Sequence, residues 1–213
     1  MTARAHGRAE AKVKSAGLQP VPDVYISTDI ETDGPIPGPF SMLSFAFVEI
    51  GTFDGARLCR PQTPRTFYRE LRPISDRFEN EALAVNGLDR GRLLREGTDP
   101  STAMEEARHF VSELAGGGTP VLVAYPLSFD WSFLYWYFVS FGGRSPFNHS
   151  RCFDLKTAVA VKGRRTILRA GRDQLPASLQ SRMSHTHHAL DDAMEQADIF
   201  ARVFDWDGAD DDE

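Results

Sequence analysis

The sequence predicts an α/β fold in which a mixed β-sheet is flanked by helices. Three strand-like segments follow one another with short connections near the start of the chain, which predicts an antiparallel meander. Strand-like and helix-like patterns alternate after that point, an order typical of a mixed sheet with helices packed against it. With 213 residues, the chain is long enough to bury its own core as one domain.

Five strands are predicted. The meander consists of VYISTDIE, SMLSFAFVEI and RTFYREL, and the first of these is largely apolar, which favours a buried strand. The loop TDGPIPGP ends it, because glycine and proline break a strand pattern. An apolar strand follows at PVLVAY and a short last strand at RCFDL.

The helices are predicted from periodicity and from their end signals. ENEALAVNG and GRLLREG are short helical segments, each ended by glycine. A longer helix begins at Pro100, since proline is tolerated in a first turn, and a run of three glycines ends it. SFDWSFLYWYFVSF is a helix with Ser128 as a candidate cap. The last helix runs from about His188 to Phe204.

Composition indicates an ordinary globular protein with a net charge of −6. Cys59 and Cys152 lie in neither a disulfide-like nor a zinc-like spacing, which favours free thiols and the cytoplasm. No segment reaches the ~18 apolar residues of a membrane span. We expect a disordered basic arm at residues 1–21, one domain at 22–206 and a disordered acidic tail at 207–213.

The stretch from Arg151 to Arg182 is the most basic part of the chain. It contains eight Lys or Arg residues against Asp154 and Asp173, a local charge of +6. Such a cluster suits a phosphate backbone. A solvated arginine-rich surface is the alternative.

Asp29 and Glu31 are the first candidate site residues. They stand two apart on a predicted strand, so both side chains project from one face. Their surroundings are apolar, and two adjacent buried anions repel each other unless a positive charge neutralises them. Mg²⁺ prefers such oxygen ligands. Two solvent-facing acids at a strand edge are the alternative.

Asp130 and Asp192 are the second and third candidates. Asp130 follows the apolar strand PVLVAY, and ligands collect at the ends of such strands, although an acid is also favoured at any helix N-terminus. Asp192 lies on the last helix, where Leu190, Ala193 and Ala197 can form the packed side and leave Asp192, Glu195 and Gln196 displayed elsewhere. It could serve a metal site or face solvent.

Three histidines precede the last helix: His185, His187 and His188. Histidine has a pKa near neutrality, as a general base for water requires. His187, just outside the helix or in its first turn, could lean over bound metal ions. Three polar loop histidines or a transition-metal site are the alternatives.

Together these motifs resemble the DEDDh subgroup of the DnaQ-like 3′–5′ exonucleases. The family's strand ending in Asp-x-Glu is matched by Asp29-Ile30-Glu31, and its apolar strand leading to Phe-Asp by PVLVAY and Phe129-Asp130. Its third motif, His-x-Ala-Leu-x-Asp, is matched at every specified position by residues 187–192.

The resemblance implies an RNase H-like fold with a mixed five-stranded sheet. It implies an enzyme that releases nucleoside 5′-monophosphates from the 3′ end of single-stranded DNA or RNA. It also implies two Mg²⁺ ions, with Mn²⁺ as a substitute, and His187 as the base that takes a proton from the attacking water. The implied metal ligands are Asp29, Glu31, Asp130 and Asp192.

The family register selects His187 over His188 and Asp192 over Asp191. Family members place an apolar residue after the first loop against the terminal base, which Met42 or Leu43 could supply, and core packing is the alternative. Further substrate contacts are predicted at Thr32, Phe129, Arg164, Arg165, Arg169 and Arg172.

The chain departs from the family at Tyr125-Pro126, where the second motif usually carries His-Asn. A catalytically silent nucleic-acid-binding or interaction module on the same fold is therefore the alternative function. The aromatic helix WSFLYWYFVSF is expected either to pack in the core or to form a homodimer interface.

Overall fold

A mixed β-sheet forms the centre of the protein in a computed structural model that describes residues 21–209. The predicted arm at residues 1–21 lies outside the described residues except for Val21, and residues 207–209 are the described part of the predicted tail. Those three residues follow Trp206, whose indole Nε1 donates to the carbonyl of Ala209 over 2.5 Å.

The sheet has the order β3-β2-β1-β5-β6, and β4 also pairs with β2. The antiparallel pairs β1–β2 and β2–β4 confirm the meander, and β5 and β6 add parallel pairs. The short strand β3 was not predicted, because two residues carry no periodicity. The strands are β1 (Asp23–Thr32), β2 (Met42–Phe53), β3 (Leu58–Cys59), β4 (Thr66–Glu70), β5 (Thr119–Ala124) and β6 (Cys152–Asp154).

Six α-helices flank the sheet in the described part of the chain. Five were predicted, and α5 was not, because eight residues between a strand and a basic stretch give a weak signal. Three short 3₁₀ turns follow α5 between residues 167 and 179. The helices are α1 (Asn80–Asn86), α2 (Arg90–Glu96), α3 (Pro100–Ala115), α4 (Leu127–Gly142), α5 (Leu155–Lys162) and α6 (Ala189–Asp205).

The two faces of the sheet are covered by different helices. Tyr25 packs with α5 and α6, whereas Val24 and Ile26 pack with α3 and α4. Because side chains alternate along a strand, Asp29 and Glu31 project on the same face as Tyr25, toward α6. Among residues 21–209, no helix is both long and apolar enough to cross a membrane.

One side of the aromatic helix α4 is part of the core. Phe133, Tyr137 and Phe138 have no exposed surface, and the Tyr137 hydroxyl accepts a hydrogen bond from the Met42 N–H. The other side is open: Tyr135 and Val139 are each 44% exposed. Core packing therefore explains the aromatic residues on the buried side of α4 but not those on its open side.

A single carboxylate holds the N-termini of α4 and α5. Asp154 Oδ2 accepts from the Leu127 N–H at 2.7 Å, and its Oδ1 accepts from the Thr157 N–H at 2.6 Å. The prediction that Ser128 caps α4 is wrong, since Pro126 holds the cap position and Ser128 already lies inside the helix. Asp154 thereby fixes where α4 begins.

Replacing Asp154 by alanine should lower the free energy of unfolding by ~1–3 kcal/mol, because two helix N–H groups lose their acceptor. Urea denaturation followed by circular dichroism would measure the loss. Ser128→Ala is the matched control on the same turn and should change the value by less than ~0.5 kcal/mol. Equal effects of the two substitutions would contradict this account.

Candidate active site

A cleft of about 290 Å³ opens where β1 ends and where α4 and α6 begin. Its walls combine acidic, aromatic and imidazole side chains. The residues that line it are Asp29, Ile30, Glu31, Tyr125, Pro126, Phe129, Asp130, Arg172, His185, His187 and Asp192. The five residues predicted as catalytic therefore share one cleft with Phe129.

Three elements bring the four carboxylates together. β1 supplies Asp29 and Glu31, and carboxylate oxygens of both lie within 4.8 Å of one another and of an oxygen of Asp192. Asp130 enters from the first turn of α4 and is 7% exposed. Asp192 enters from α6 and is fully buried. Such crowding in a site with little water raises the energy of the ionised forms.

Burial raises the pKa of three of these acids, and repulsion by neighbouring carboxylates adds to the rise for Asp29 and Glu31. Burial, followed by the charges of Asp192 and Asp130, raises the pKa of Glu31 to about 8. Burial raises the pKa of Asp130 to about 7. For Asp29 burial again raises the pKa most, and the three neighbouring carboxylates raise it further.

Two side chains offset part of this repulsion. The buried Gln196 on α6 donates from Nε2 to Asp29 Oδ1 over 2.8 Å, which orients that carboxylate. Arg172 reaches the cleft from the 3₁₀ turn at residues 172–174, and its positive charge acts to lower the pKa of Asp29 and Asp130. The net shifts remain upward, so the protein alone leaves the acids short of positive charge.

Asp192 also organises the histidine loop. Its two oxygens accept the N–H groups of Thr186 and His187 at 2.8 and 3.0 Å, and its Oδ2 lies 2.8 Å from His185 Nδ1. His187 has a left-handed backbone with φ of 58°, which turns the chain into α6. The rings of His185 and His187 meet edge to face, with centroids 4.5 Å apart.

The donor set fits hard divalent cations. Carboxylate oxygens are the ligands that Mg²⁺ and Mn²⁺ prefer. The raised pKa values of Asp29, Glu31 and Asp130 indicate that positive charge placed among them would be strongly favoured. The cleft could therefore hold metal ions between Asp29, Glu31, Asp130 and Asp192.

Comparison with known proteins adds a sequence relative. The chain is 32% identical over 183 residues to the 3′–5′ DNA exonuclease Cap18 of Escherichia coli, a match covering 85% of this chain and 91% of that protein. No protein-family model matches the chain. The chain belongs to the same family of 3′–5′ exonucleases as Cap18.

Solved structures share the fold of this exonuclease at low identity. The zinc-bound E. coli ExoI–ssDNA complex matches with a TM-score of 0.58 and 16% identity over 85% of this chain and 40% of that one. The Mg²⁺- and Mn²⁺-bound form of S. pombe Pop2p matches with a TM-score of 0.60 and 15% identity, over 87% of this chain and 85% of that one. The rAMP-bound nuclease domain of 3′hExo, a DEDDh family member, matches with a TM-score of 0.62 and 11% identity, over 86% of this chain and 92% of that one. The predicted RNase H-like fold and enzyme class are thus confirmed.

Several predicted substrate contacts of the exonuclease lie away from the cleft. Met42 and Leu43 have no exposed surface, so they pack in the core, which was the alternative to a contact with the terminal base. Neither side chain is available to a nucleotide in the cleft. The buried Thr32 donates its hydroxyl to the Gly34 carbonyl. Arg164 is exposed outside the cleft, and Arg165 lines a different one with Leu168, Arg169 and Gln174.

Three residues in or beside the cleft carried no clear sequence signal. His185 lines the cleft, although the family register points to His187 alone. Glu195 and Gln196 are buried beside the cleft, although helix periodicity placed them on the displayed side of α6. A polar helix face buried against a polar site has the same periodicity as one that faces solvent.

In EDTA, the free energy of unfolding should fall as the pH rises from about 5 to about 8. The folded pKa values of Glu31 and Asp130, about 8 and about 7, lie above the ~4 of unfolded chains. The folded protein therefore binds more protons than the unfolded chain over this window, and stability declines as those protons leave.

Thermal unfolding at stepped pH, with EDTA or with Mg²⁺, would measure this dependence. Mg²⁺ should flatten the decline, because cations replace the protons on the acids. Glu31→Gln should flatten part of it without metal. A melting temperature that rises from about pH 5 to 8 in EDTA would contradict the assigned pKa directions.

Proposed function

We propose that the protein is a metal-dependent exonuclease that removes nucleoside 5′-monophosphates from the 3′ end of single-stranded DNA. The convergence of four carboxylates in one cleft, three of them buried and Asp29 partly buried, carries this proposal. The choice of DNA draws support from the relative named a 3′–5′ DNA exonuclease and from the ExoI–ssDNA complex. RNA is the alternative polymer.

The proposed ligands of two Mg²⁺ ions, for which Mn²⁺ could substitute, are Asp29, Glu31, Asp130 and Asp192. Two such ions supply positive charge for the attacking and leaving oxygens of a phosphodiester. Gln196 would keep Asp29 oriented for this task through its 2.8 Å hydrogen bond.

The proposed general base is His187, whose exposed ring stands at the cleft. Its backbone N–H is hydrogen-bonded to the Asp192 carboxylate, so the backbone that carries the imidazole is tied to the acids. An imidazole there can take the proton of the attacking water, the role of a histidine general base.

The proposed contact for the terminal nucleotide is Phe129. Its side chain is 40% exposed and lines the cleft one residue before Asp130. Stacking on an aromatic ring suits an unpaired base of any sequence. This contact takes the place of the one expected from Met42 or Leu43, which are buried.

A degradation ladder tests the function. The protein with Mg²⁺ should shorten 5′-labelled single-stranded DNA from its 3′ end, and EDTA should stop it. Asp29→Ala should reduce the rate by more than the ~10–100-fold typical of an outer-shell change. Asp23→Ala, at the opposite end of β1, is the matched control and should keep wild-type activity.

RNA of matched sequence belongs in the same assay. Faster shortening of RNA would overturn the choice of DNA and retain the exonuclease. DNA binding without cleavage in either Mg²⁺ or Mn²⁺ would overturn the activity and favour the silent binding module, for which the Tyr125-Pro126 departure is the supporting feature.

A homodimer through the open side of α4 is the proposed assembly. Tyr135 and Val139 are exposed there, and Tyr135 stacks on Trp131 with centroids 4.9 Å apart. Aromatic residues are enriched in interface cores. Sedimentation velocity should give a dimer for the wild type and a monomer for Tyr135→Glu. Ser101→Glu, on α3, is the control and should remain a dimer. A monomeric wild type would refute the proposed dimer.

The cytoplasm is the proposed location. Cys59 and Cys152 are free thiols, as a reducing compartment favours. Cell fractionation would test this, and recovery outside the cytoplasmic fraction would overturn it.

A further inference from the structure

Arg172 stands at the junction of two clefts. It lines the carboxylate cleft and also a neighbouring cleft of about 330 Å³, bounded by Asp173, Leu175, Gln180, Ser181, Glu195 and Ile199. Its side chain is 20% exposed, much less than a surface arginine. A strand that passes from one cleft to the other would run along this guanidinium.

Tyr125 holds the Arg172 segment in place. Its hydroxyl donates to the Ala170 carbonyl at 2.7 Å, which ties the segment to the end of β5. The Arg172 guanidinium carbon lies 5.6 Å from the centroid of the Tyr125 ring, and Nη2 donates to the Tyr125 carbonyl at 3.4 Å. The charged end of Arg172 is thereby directed into the cleft.

Glu195 provides the counter-charge behind Arg172. It is 8% exposed, and its Oε2 lies 3.6 Å from Arg172 Nη1 and 3.5 Å from His185 Nδ1. Burial raises the pKa of Glu195, and the charge of Arg172 acts against that shift. A buried carboxylate at this distance restrains the guanidinium without saturating its donors.

Arg172 has hydrogen-bonding capacity that its neighbours leave unused. A guanidinium carries five N–H donors in a planar fork. Within residues 21–209, no acceptor lies within hydrogen-bond distance of its buried Nε. Nη1 faces the ring nitrogens of His185, with Nε2 at 3.2 Å, and that ring offers at most one neutral acceptor.

The position of these donors selects the group that would accept from them. Arg172 lines the same cleft as Asp29 and Asp130, two of the proposed metal ligands. A phosphodiester cleaved at those metals must place its phosphorus beside them. Arg164, in contrast, lies outside the cleft.

We propose that Arg172 is a catalytic residue that donates to a non-bridging oxygen of the scissile phosphate, and that Glu195 is its positioning residue. This inference rests on the proposed nuclease function. The planar fork matches two phosphate oxygens, and its charge opposes the negative charge that builds up as water attacks. Arg172 exchanges no proton and forms no covalent bond.

The decisive experiment uses a substrate with one phosphodiester, the p-nitrophenyl ester of thymidine 5′-monophosphate, beside a single-stranded 20-mer. Arg172→Gln should lower kcat by ~10²-fold on both, as removal of a preorganised donor does. A guanidinium that bound only another phosphate of the strand would raise KM for the 20-mer and leave the ester unaffected. That result would overturn the inference.

Arg108→Gln on α3 is the matched control, because it removes the same charge away from the cleft, and it should keep wild-type kinetics. If Arg172→Gln does not fold, Arg172→Lys is used to test the inference. Lysine keeps the charge but loses the fork, so kcat should fall by ~10-fold; an unchanged kcat would overturn the inference.

Glu195 is tested by a double-mutant cycle. Glu195→Gln should lower kcat in the wild type and have little further effect in the Arg172→Gln background, since it acts through Arg172. Additive losses would overturn its positioning role and indicate a general structural one.

The outcomes separate this inference from the proposed function. Wild-type protein inactive on both substrates overturns the function itself and the inference with it. If the wild type cleaves only the 20-mer, the test is the kcat of Arg172→Gln measured at saturating 20-mer. A reduced kcat supports the inference, and an unchanged kcat overturns it. An active wild type with an equally active Arg172→Gln variant overturns the inference alone.

Discussion

Four carboxylates meet at the end of β1 with little water around them, and their mutual repulsion is the constraint that the surrounding structure has to meet. The protein reduces this repulsion locally. Gln196 donates to Asp29, two loop N–H groups donate to Asp192, and Arg172 brings a positive charge to the cleft. The pKa values of Glu31 and Asp130 nevertheless stay raised, so this compensation is partial. A site of this kind favours divalent cations, which neutralise several acids at once.

The predictable part of the site depends on local geometry. Asp29 and Glu31 share a face because strand side chains alternate, and this rule holds wherever the strand lies in the fold. Asp130 was placed correctly because an apolar strand followed by a helix start is visible in the sequence. The meander and the mixed sheet followed from the order of the segments. The short elements β3 and α5 did not, because two and eight residues leave too little pattern to recognise.

The rest of the site depends on tertiary packing, which periodicity does not contain. Met42 follows the first loop as an apolar residue in contact with substrate would, yet β2 is covered on both faces, and the residue is buried. Glu195 was placed on the displayed side of α6, although that side faces the cleft. Arg172 was one of several arginines in a basic stretch with the same expected role. Only the fold separates it from Arg164, because the 3₁₀ turn at residues 172–174 directs it into the cleft while Arg164 stays outside.

Asp192 links the proposed metal site to His187, the proposed general base. A carboxylate has about four lone-pair directions, and here it already accepts from the N–H groups of Thr186 and His187 and lies against His185 Nδ1. A cation bound by Asp192 would share these oxygens with the loop, so any movement of the carboxylate would also move the His187 backbone. The interval of five residues between His187 and Asp192 therefore has a physical meaning. It is the interval over which the Asp192 side chain, in the first turn of α6, reaches back to the backbone of His187, the residue proposed to activate the attacking water.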